Sequence, residues 1–432
     1  MRPRDTKGSD AVASEAAARA SFLRRRWHLV RAFDNLARLL VPVLPRPRTG
    51  EETDTQPARI LVVEYCQLGD LAIVVPFLRN LRRSFPRAHI SLLVNARFQS
   101  FLKEQGIVDE FIPVRVPWAE HFSHWRKYNP FSLQWLFLLR SLLYLRSRHF
   151  NWAFSGRMDI RDNLLLWLSG APRRIGYGLA GGGCFLTDRV VPDLARPHRA
   201  DIWLHLLEAI GESPDRQLGD YRLTIAERAS ARSYLRELGL PVDAVLIGVH
   251  PSARIATRCW GDDRFAELAR RILGQSHRIH VLWFSEPGAL HQAPPLERCH
   301  AVSLDVQSFL GVLSHCRLLV CNDSGPMHLA NLLDVPVVAI FGPQRPEWFG
   351  PRGPQDLVVI RPEIWCRPCI DSCIFDQPHC LRLISTDDVY RAVQRAIALS
   401  SPRNSEGIRF SALHERPGEQ NVATGALSET TS

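Results

Sequence analysis

Strand-like runs alternate with helical stretches twice along this chain, and that alternation restricts it to an α/β architecture with doubly wound sheets. The first series opens at residues 60–63, an unbroken Ile, Leu and Val run of the kind that fills a parallel strand buried on both faces. A short loop leads to Gly69 and Asp70, and residues 71–84 read as a helix despite Pro76. HISLLVN and EFIPV are the next strands, followed by 152–154 and RRIGYG. The second series starts near Ala244. VLIGVHPS is a strand and loop, DDRFAELARRILG a helix, IHVLWF a strand and SFLGVLSHC a helix. RLLVCNDSG is then a strand and turn, PMHLANLLD a helix and PVVAIFG a strand.

The 432 residues therefore divide into an N-terminal extension (1–57), two Rossmann-like domains (58–240 and 241–402) and a polar tail (403–432) expected to be disordered. No apolar run approaches the roughly 20 residues that span a bilayer. The longest, 133–145, is interrupted by Arg140. The N-terminus lacks a signal-peptide core, so the expected location is the cytoplasm. Within the extension, Phe22, Leu23, Leu29, Val30, Phe33, Leu36, Ala37 and Leu40 share one helical face, with Arg24, His28, Arg31, Asn35 and Arg38 opposite. Such a basic amphipathic helix suits the inner face of the cytoplasmic membrane, or packing on a protein surface; Arg26 falls inside the apolar arc. The formal net charge of +10 fits an anionic partner. No nucleic-acid motif accompanies it, so nucleic acid is not expected as the partner.

The most informative stretch is NDSGPMHLANLLDVPVVAIFGP. Asp323, Ser324 and Gly325 follow a buried strand, and Pro326 suits the start of a helix, where a missing N–H costs nothing. Amides around Ser324 and Gly325 then sit at a helix N-terminus on the carboxyl edge of the sheet, a geometry that binds a diphosphate. His328 lies one turn on, on the same face. Read alone, the stretch fits an ordinary capped helix equally well.

Four segments, in order, resemble glycosyltransferase family 9, the heptosyltransferase family. They are ILVVEYCQLGDLAIVVPFLRNLRRSFP, SGAPRRIGYG, HPSARIATRCWGDDRFAELARRI and CNDSGPMHLANLLDVPVVAIFGP; the resemblance covers roughly residues 58–400. It implies two Rossmann-like domains facing a central cleft, the GT-B type, with acceptor bound to the first and nucleotide-sugar donor to the second. It implies an inverting, metal-independent transferase with Asp70 as catalytic base, taking the proton of the acceptor hydroxyl; capping of the following helix is the structural alternative. Cys66, Gln67 and Leu68 stand where the family often has hydroxyl residues. Arg258 stands where the family has Lys and would neutralise the departing diphosphate, with Ser252 and Thr257 donating to phosphate. A salt bridge to Asp262 or Asp263 is the alternative for Arg258. The donor site is thus Ser252, Thr257, Arg258, Asp323, Ser324, Gly325 and His328. Glu286 stands near the place of a family glutamate.

The resemblance also implies heptose from ADP-heptose as the donor sugar and a lipopolysaccharide core or related lipid-linked glycan as acceptor. Arg173, Arg174 and Arg199 are the basic residues expected to meet the acceptor's anionic groups. No cofactor is expected for catalysis. Cys366, Cys369, Cys373 and Cys380 fall within fifteen residues and form either a structural zinc site or a set of reduced thiols. A non-catalytic nucleotide-sugar or glycan-binding protein of the same fold is the competing reading, and turnover distinguishes the two.

Overall fold

The structure, a computed structural model, describes residues 35, 56–116, 118, 133–217, 221–286, 292–369 and 373–399. Apart from Asn35, the N-terminal amphipathic stretch lies outside these residues, as does the polar tail.

The first unit runs β1 (Arg59–Val63), α1 (Leu68–Ser84), β2 (His89–Asn95), β3 (Glu110–Val114), α2 (Leu133–Ser147), β4 (Trp152–Ser155), α3 (Ile160–Leu168), β5 (Arg173–Tyr177), β6 (Asp188–Val190) and α4 (Arg199–Glu208). Then follow α5 (Ile225–Glu237), β7 (Val245–His250), α6 (Asp262–Leu273), β8 (Ile279–Ser285), β9 (Cys299–Ser303), α7 (Val306–Leu313), β10 (Leu318–Asn322) and α8 (Gly325–Leu332). The second unit ends with β11 (Val337–Phe341), α9 (Pro346–Phe349), β12 (Leu357–Ile360), α10 (His379–Arg382) and α11 (Thr386–Leu399).

Each unit holds one six-stranded sheet, in the orders β3-β2-β1-β4-β5-β6 and β12-β11-β10-β7-β8-β9. Counted from its own first strand, each sheet has the same doubly wound order, and its strands pair in parallel. The chain leaves β1 toward β2 and β3, then returns to the other side of β1 as β4. The second unit repeats this at β7 and β10. Loops at such a reversal diverge to opposite faces and leave a crevice at the carboxyl edge of the sheet. The strands supply continuous apolar runs because helices cover both faces: Ile60, Leu61, Val62 and Val63 are all fully buried.

Helix α1 begins at Leu68, earlier than the sequence suggests, so Gly69 and Asp70 lie inside its first turn. Gln67 is the N-cap, and the Asp70 carboxylate accepts its backbone N–H at 3.2 Å, as in a capping box. Almost the whole length of α1 is buried, because it packs on its sheet, on α4 and on α8 of the second unit. Phe77 meets Trp203 of α4 with ring centroids 5.0 Å apart. A single apolar cluster includes Val62 and Phe77 from the first unit with Leu332 and Phe341 from the second.

Candidate active site

The crevices of the two sheets face each other across α1 and α8. Gly69 and Gly325 sit in the first turns of these helices. A Cβ added to Gly69 would lie 3.1 Å from Gly325 Cα and 3.2 Å from His328 Cδ2, so the absence of a side chain sets how closely the units approach.

At the first crevice, carboxylates surround one guanidinium. Arg157, just beyond β4, places Nη1 3.9 Å from both Glu64 Oε1 and Asp70 Oδ1, and Nε 3.6 Å from Asp162 Oδ2. Glu64 and Asp162 are buried, whereas the Asp70 side chain keeps 27% of its surface exposed. Burial pushes Glu64 up to about 7 and Asp162 up to about 6, each against the opposing charge of Arg157. Burial also disfavours the Arg157 cation, but Cys66, Glu64, Asp162 and Asp70 outweigh it and hold the guanidinium protonated. Glu64 accepts the backbone N–H of Cys66 at 3.1 Å, which fixes the loop leading to Asp70. Tyr65 packs beside Trp118, whose indole N–H donates to its hydroxyl at 2.9 Å, and Arg161 lies over the Trp118 ring.

At the second crevice the polar groups suit an anion. Ser324 is the N-cap of α8 and its hydroxyl is turned back to the Asn322 carbonyl, so it does not cap the helix. In its first turn Pro326 has no N–H and Met327 N–H donates to Ser324 O at 3.2 Å, so the Gly325 amide is the donor that this helix N-terminus offers to an anion. The Asp323 N–H is not among the candidates, because it donates to Ile340 O within the sheet at 3.1 Å. The buried Asp323 carboxylate instead holds Arg258, with Nη1 3.3 Å from Oδ2. Arg258 ends a short 3-10 turn, Ala256–Arg258. Among the described residues Thr257 Oγ1 is buried without a hydrogen-bond partner, and Ser252 is buried beside His250. Asn322 ties the two loops together: its amide donates to Pro251 O at 2.5 Å and its oxygen accepts Trp260 N–H at 3.1 Å.

His328 joins the crevices. Burial lowers its pKa to about 4, with Arg258 also lowering it and Asp70 raising it, so it is a neutral hydrogen-bonding group at neutral pH. The structure thus brings Asp70, Arg258, Asp323, Ser324, Gly325 and His328 to one cleft, with Ser252 and Thr257 on its second-unit wall. Glu286 is the exposed residue after β8, and residues 287–291 beyond it lie outside the described residues.

Two expectations need correction. Arg173 and Arg174 do not form a binding patch. Arg173 pairs with Asp188 at 2.9 Å and covers the Trp152 ring, while buried Arg174 donates to Phe185 O, Ala171 O and Pro172 O. Both are spent on holding β5 and the loop before β6. Only Arg199, at the start of α4, lies close enough to feel Asp70 and Glu64. Of the two readings of the cysteine cluster, a zinc site or reduced thiols, the zinc site finds no support. Among the described residues no group of three or more His, Cys, Asp or Glu side chains could hold a metal ion. Cys380 is buried in the apolar cluster beneath the second sheet, and that burial pushes its thiol up.

Sequence reasoning missed Glu64, Arg157 and Asp162. Their association depends on β4 returning beside β1, and the available signal was a charged residue within two positions of the end of each of these strands.

The family model for glycosyltransferase family 9 (heptosyltransferase) matches residues 144–378. Lipopolysaccharide heptosyltransferase 2 of Salmonella typhimurium is 24% identical over 319 residues, 70% of this chain and 87% of the relative. A solved family 9 glycosyl transferase from Veillonella parvula superposes with a TM-score of 0.63 at 22% identity, covering 81% of this chain and 99% of that one. The E. coli ADP-heptose lps heptosyltransferase II gives 0.59 at 19% identity, covering 78% and 98%. These solved structures share the two-sheet fold, and the family match spans more than half of the sequence: the chain belongs to glycosyltransferase family 9.

Proposed function

We propose that the protein is an inverting heptosyltransferase that moves heptose from ADP-heptose to a lipopolysaccharide core or a related lipid-linked glycan. The observation that carries this reading is the close approach of the two crevices, where a Cβ on Gly69 would lie 3.1 Å from Gly325 Cα and 3.2 Å from His328 Cδ2, and where His328 feels the charges of both Asp70 and Arg258. An acceptor hydroxyl in the first crevice gives its proton to Asp70 as its oxygen attacks the anomeric carbon from the face opposite the leaving group. The bond from that carbon to the diphosphate breaks, and the electron pair leaves with the nucleoside diphosphate. Arg258 and the Gly325 amide at the N-terminus of α8 stabilise the charge that develops there. Asp323 orients Arg258, Thr257 and Ser252 donate to phosphate oxygens, and neutral His328 donates a hydrogen bond without adding charge. Arg157 is a positioning residue that holds the Asp70 carboxylate toward the acceptor. Domain roles follow: acceptor on residues 58–240, donor on 241–402.

Sugar transfer is the test. Incubation with ADP-heptose and a heptose-deficient core acceptor should release ADP and extend the acceptor by one heptose. A panel of nucleotide-sugars, scored by thermal shift, should single out ADP-heptose, because a ligand selective for the folded state raises the melting temperature by mass action. Selective stabilisation without transfer to any core acceptor would leave a binding protein in place of an enzyme.

A further inference from the structure

The segment that joins the two units borders a cavity of about 430 Å³, at the end of α8 away from the crevices. Tyr221 forms part of its wall and ties both units together there. Its N–H donates to Leu332 O at 3.0 Å, its hydroxyl donates to Phe101 O at 2.7 Å, and its ring stacks on Phe101 with centroids 5.3 Å apart. Helix α8 has eight residues, so the cavity lies roughly 12 Å from the Gly325 amide.

The charge in this cavity is one-sided. Arg228 and Arg232 stand one turn apart on α5 and both line it. Like charges at that spacing repel and weaken a helix. Among the described residues neither guanidinium has a hydrogen-bond or ion-pair partner. His315, just beyond α7, shares the cavity. Burial lowers its pKa and Arg232 lowers it further, so the ring is a neutral polar group at neutral pH. Asp334 is the one carboxylate among the lining residues. Two guanidiniums against one carboxylate leave an excess of positive charge in a concave site.

We infer that this cavity binds a small molecule carrying a phosphate group. The volume falls within the ~300–1,000 Å³ of small-ligand sites. Each arginine fork can give paired N–H bonds to phosphate oxygens, and a bound dianion offsets the repulsion along α5. Leu223 and Leu332 supply an apolar wall for the organic part of the ligand. An extended polyanion calls for cations in a stripe along a surface, whereas these two converge on one concavity.

The test is a phosphate titration of the full-length chain without donor or acceptor, so that its outcome is independent of the transferase reading. The probes are inorganic phosphate and phenyl phosphate, each compared with sodium chloride at equal ionic strength. The His315 ring reports locally: its NMR signal, assigned by its loss in His315→Gln, is followed through its own pH titration. Each phosphate should raise the midpoint of that titration by about one pH unit, because a nearby anion favours the imidazolium, and chloride should not. Phenyl phosphate should act at lower concentration than inorganic phosphate. In Arg228→Gln with Arg232→Gln, the concentration needed for the same response should rise about tenfold or more. The melting temperature of this variant should stay at or above that of wild type, because the repulsive pair is gone. Arg258→Ala should keep the wild-type response. An unmoved midpoint in wild type, or an equal shift with chloride, overturns the inference, as does a wild-type response in the double variant. A response to inorganic phosphate alone would overturn the organic ligand. Loss of the response in Arg258→Ala, with the double variant unaffected, would return the anion to the second crevice.

Discussion

The two crevices share one topology and differ in chemistry. Each lies where a doubly wound sheet reverses, between β1 and β4 in the first unit and β7 and β10 in the second. At the first, Glu64, Asp70 and Asp162 crowd around Arg157. At the second, Arg258, buried hydroxyls and a helix N-terminus converge. The fold supplies the position of a site and leaves its charge to a few loop residues. A carboxylate-rich crevice suits proton removal and a donor-rich one suits a diphosphate. The two glycines differ in the same spirit. A Cβ on Gly325 would meet only ordinary contacts, the nearest 3.5 Å away, whereas one on Gly69 would press on the facing backbone.

Four substitutions test this contrast. Asp70→Asn should have the largest effect, lowering the rate of transfer on the order of 10²–10⁴-fold, as expected when a general base is lost. Rates within a few-fold of wild type in a single-turnover assay would remove Asp70 from that role. Arg157→Lys keeps a charge but lacks the fork that reaches three carboxylates, and should slow kcat by about tenfold with the donor KM unchanged. A change confined to the donor KM would place Arg157 in the wrong crevice. Gly69→Ala must move α1 and α8 apart by a few tenths of an ångström, and a roughly several-fold loss in kcat should follow from misaligned reactants. Unchanged kinetics would show that the helices already separate during turnover.

The smallest effect is expected from Glu64→Gln and concerns pH. Glu64 binds its proton up to about pH 7 in the folded protein, against an ordinary value of 4.5. Between those values the folded state holds more protons than the unfolded one, so Glu64 makes stability fall as pH rises through the window. His328, lowered to about 4, and His198, lowered to about 3, act in the opposite sense below their ordinary 6.5 and remain in both proteins. The variant should therefore lose less stability than wild type between about pH 5 and 8, read from denaturant unfolding. Parallel profiles would contradict the buried, proton-holding state of Glu64.

Much of the second crevice was legible in the sequence, because its residues lie in two short loops next to strongly apolar strands. Asp323, Ser324, Gly325 and His328 fall within six positions, and Arg258 follows a run that reads as a strand. The first crevice was legible only at Asp70. Its other members, at positions 64, 157 and 162, fall in two segments far apart in the chain that strand order joins. Arg173 and Arg174 misled for a related reason. A pair of arginines reads as a surface patch, and only the packing of the segment up to residue 187 shows that they serve Asp188 and backbone carbonyls.

One titration decides whether the two crevices divide the labour in this way. Binding of ADP is measured by isothermal calorimetry on wild type, Arg258→Ala, Gly325→Ala and Asp70→Asn. Arg258→Ala should weaken binding by about 10- to 100-fold, the worth of a charge-assisted hydrogen bond. Gly325→Ala should weaken it by closing the approach to the α8 amide, and Asp70→Asn should bind within a few-fold of wild type. Wild-type affinity in both folded second-crevice variants would put the diphosphate outside the second crevice, and loss of affinity in Asp70→Asn alone would put it in the first; either result overturns the division between them.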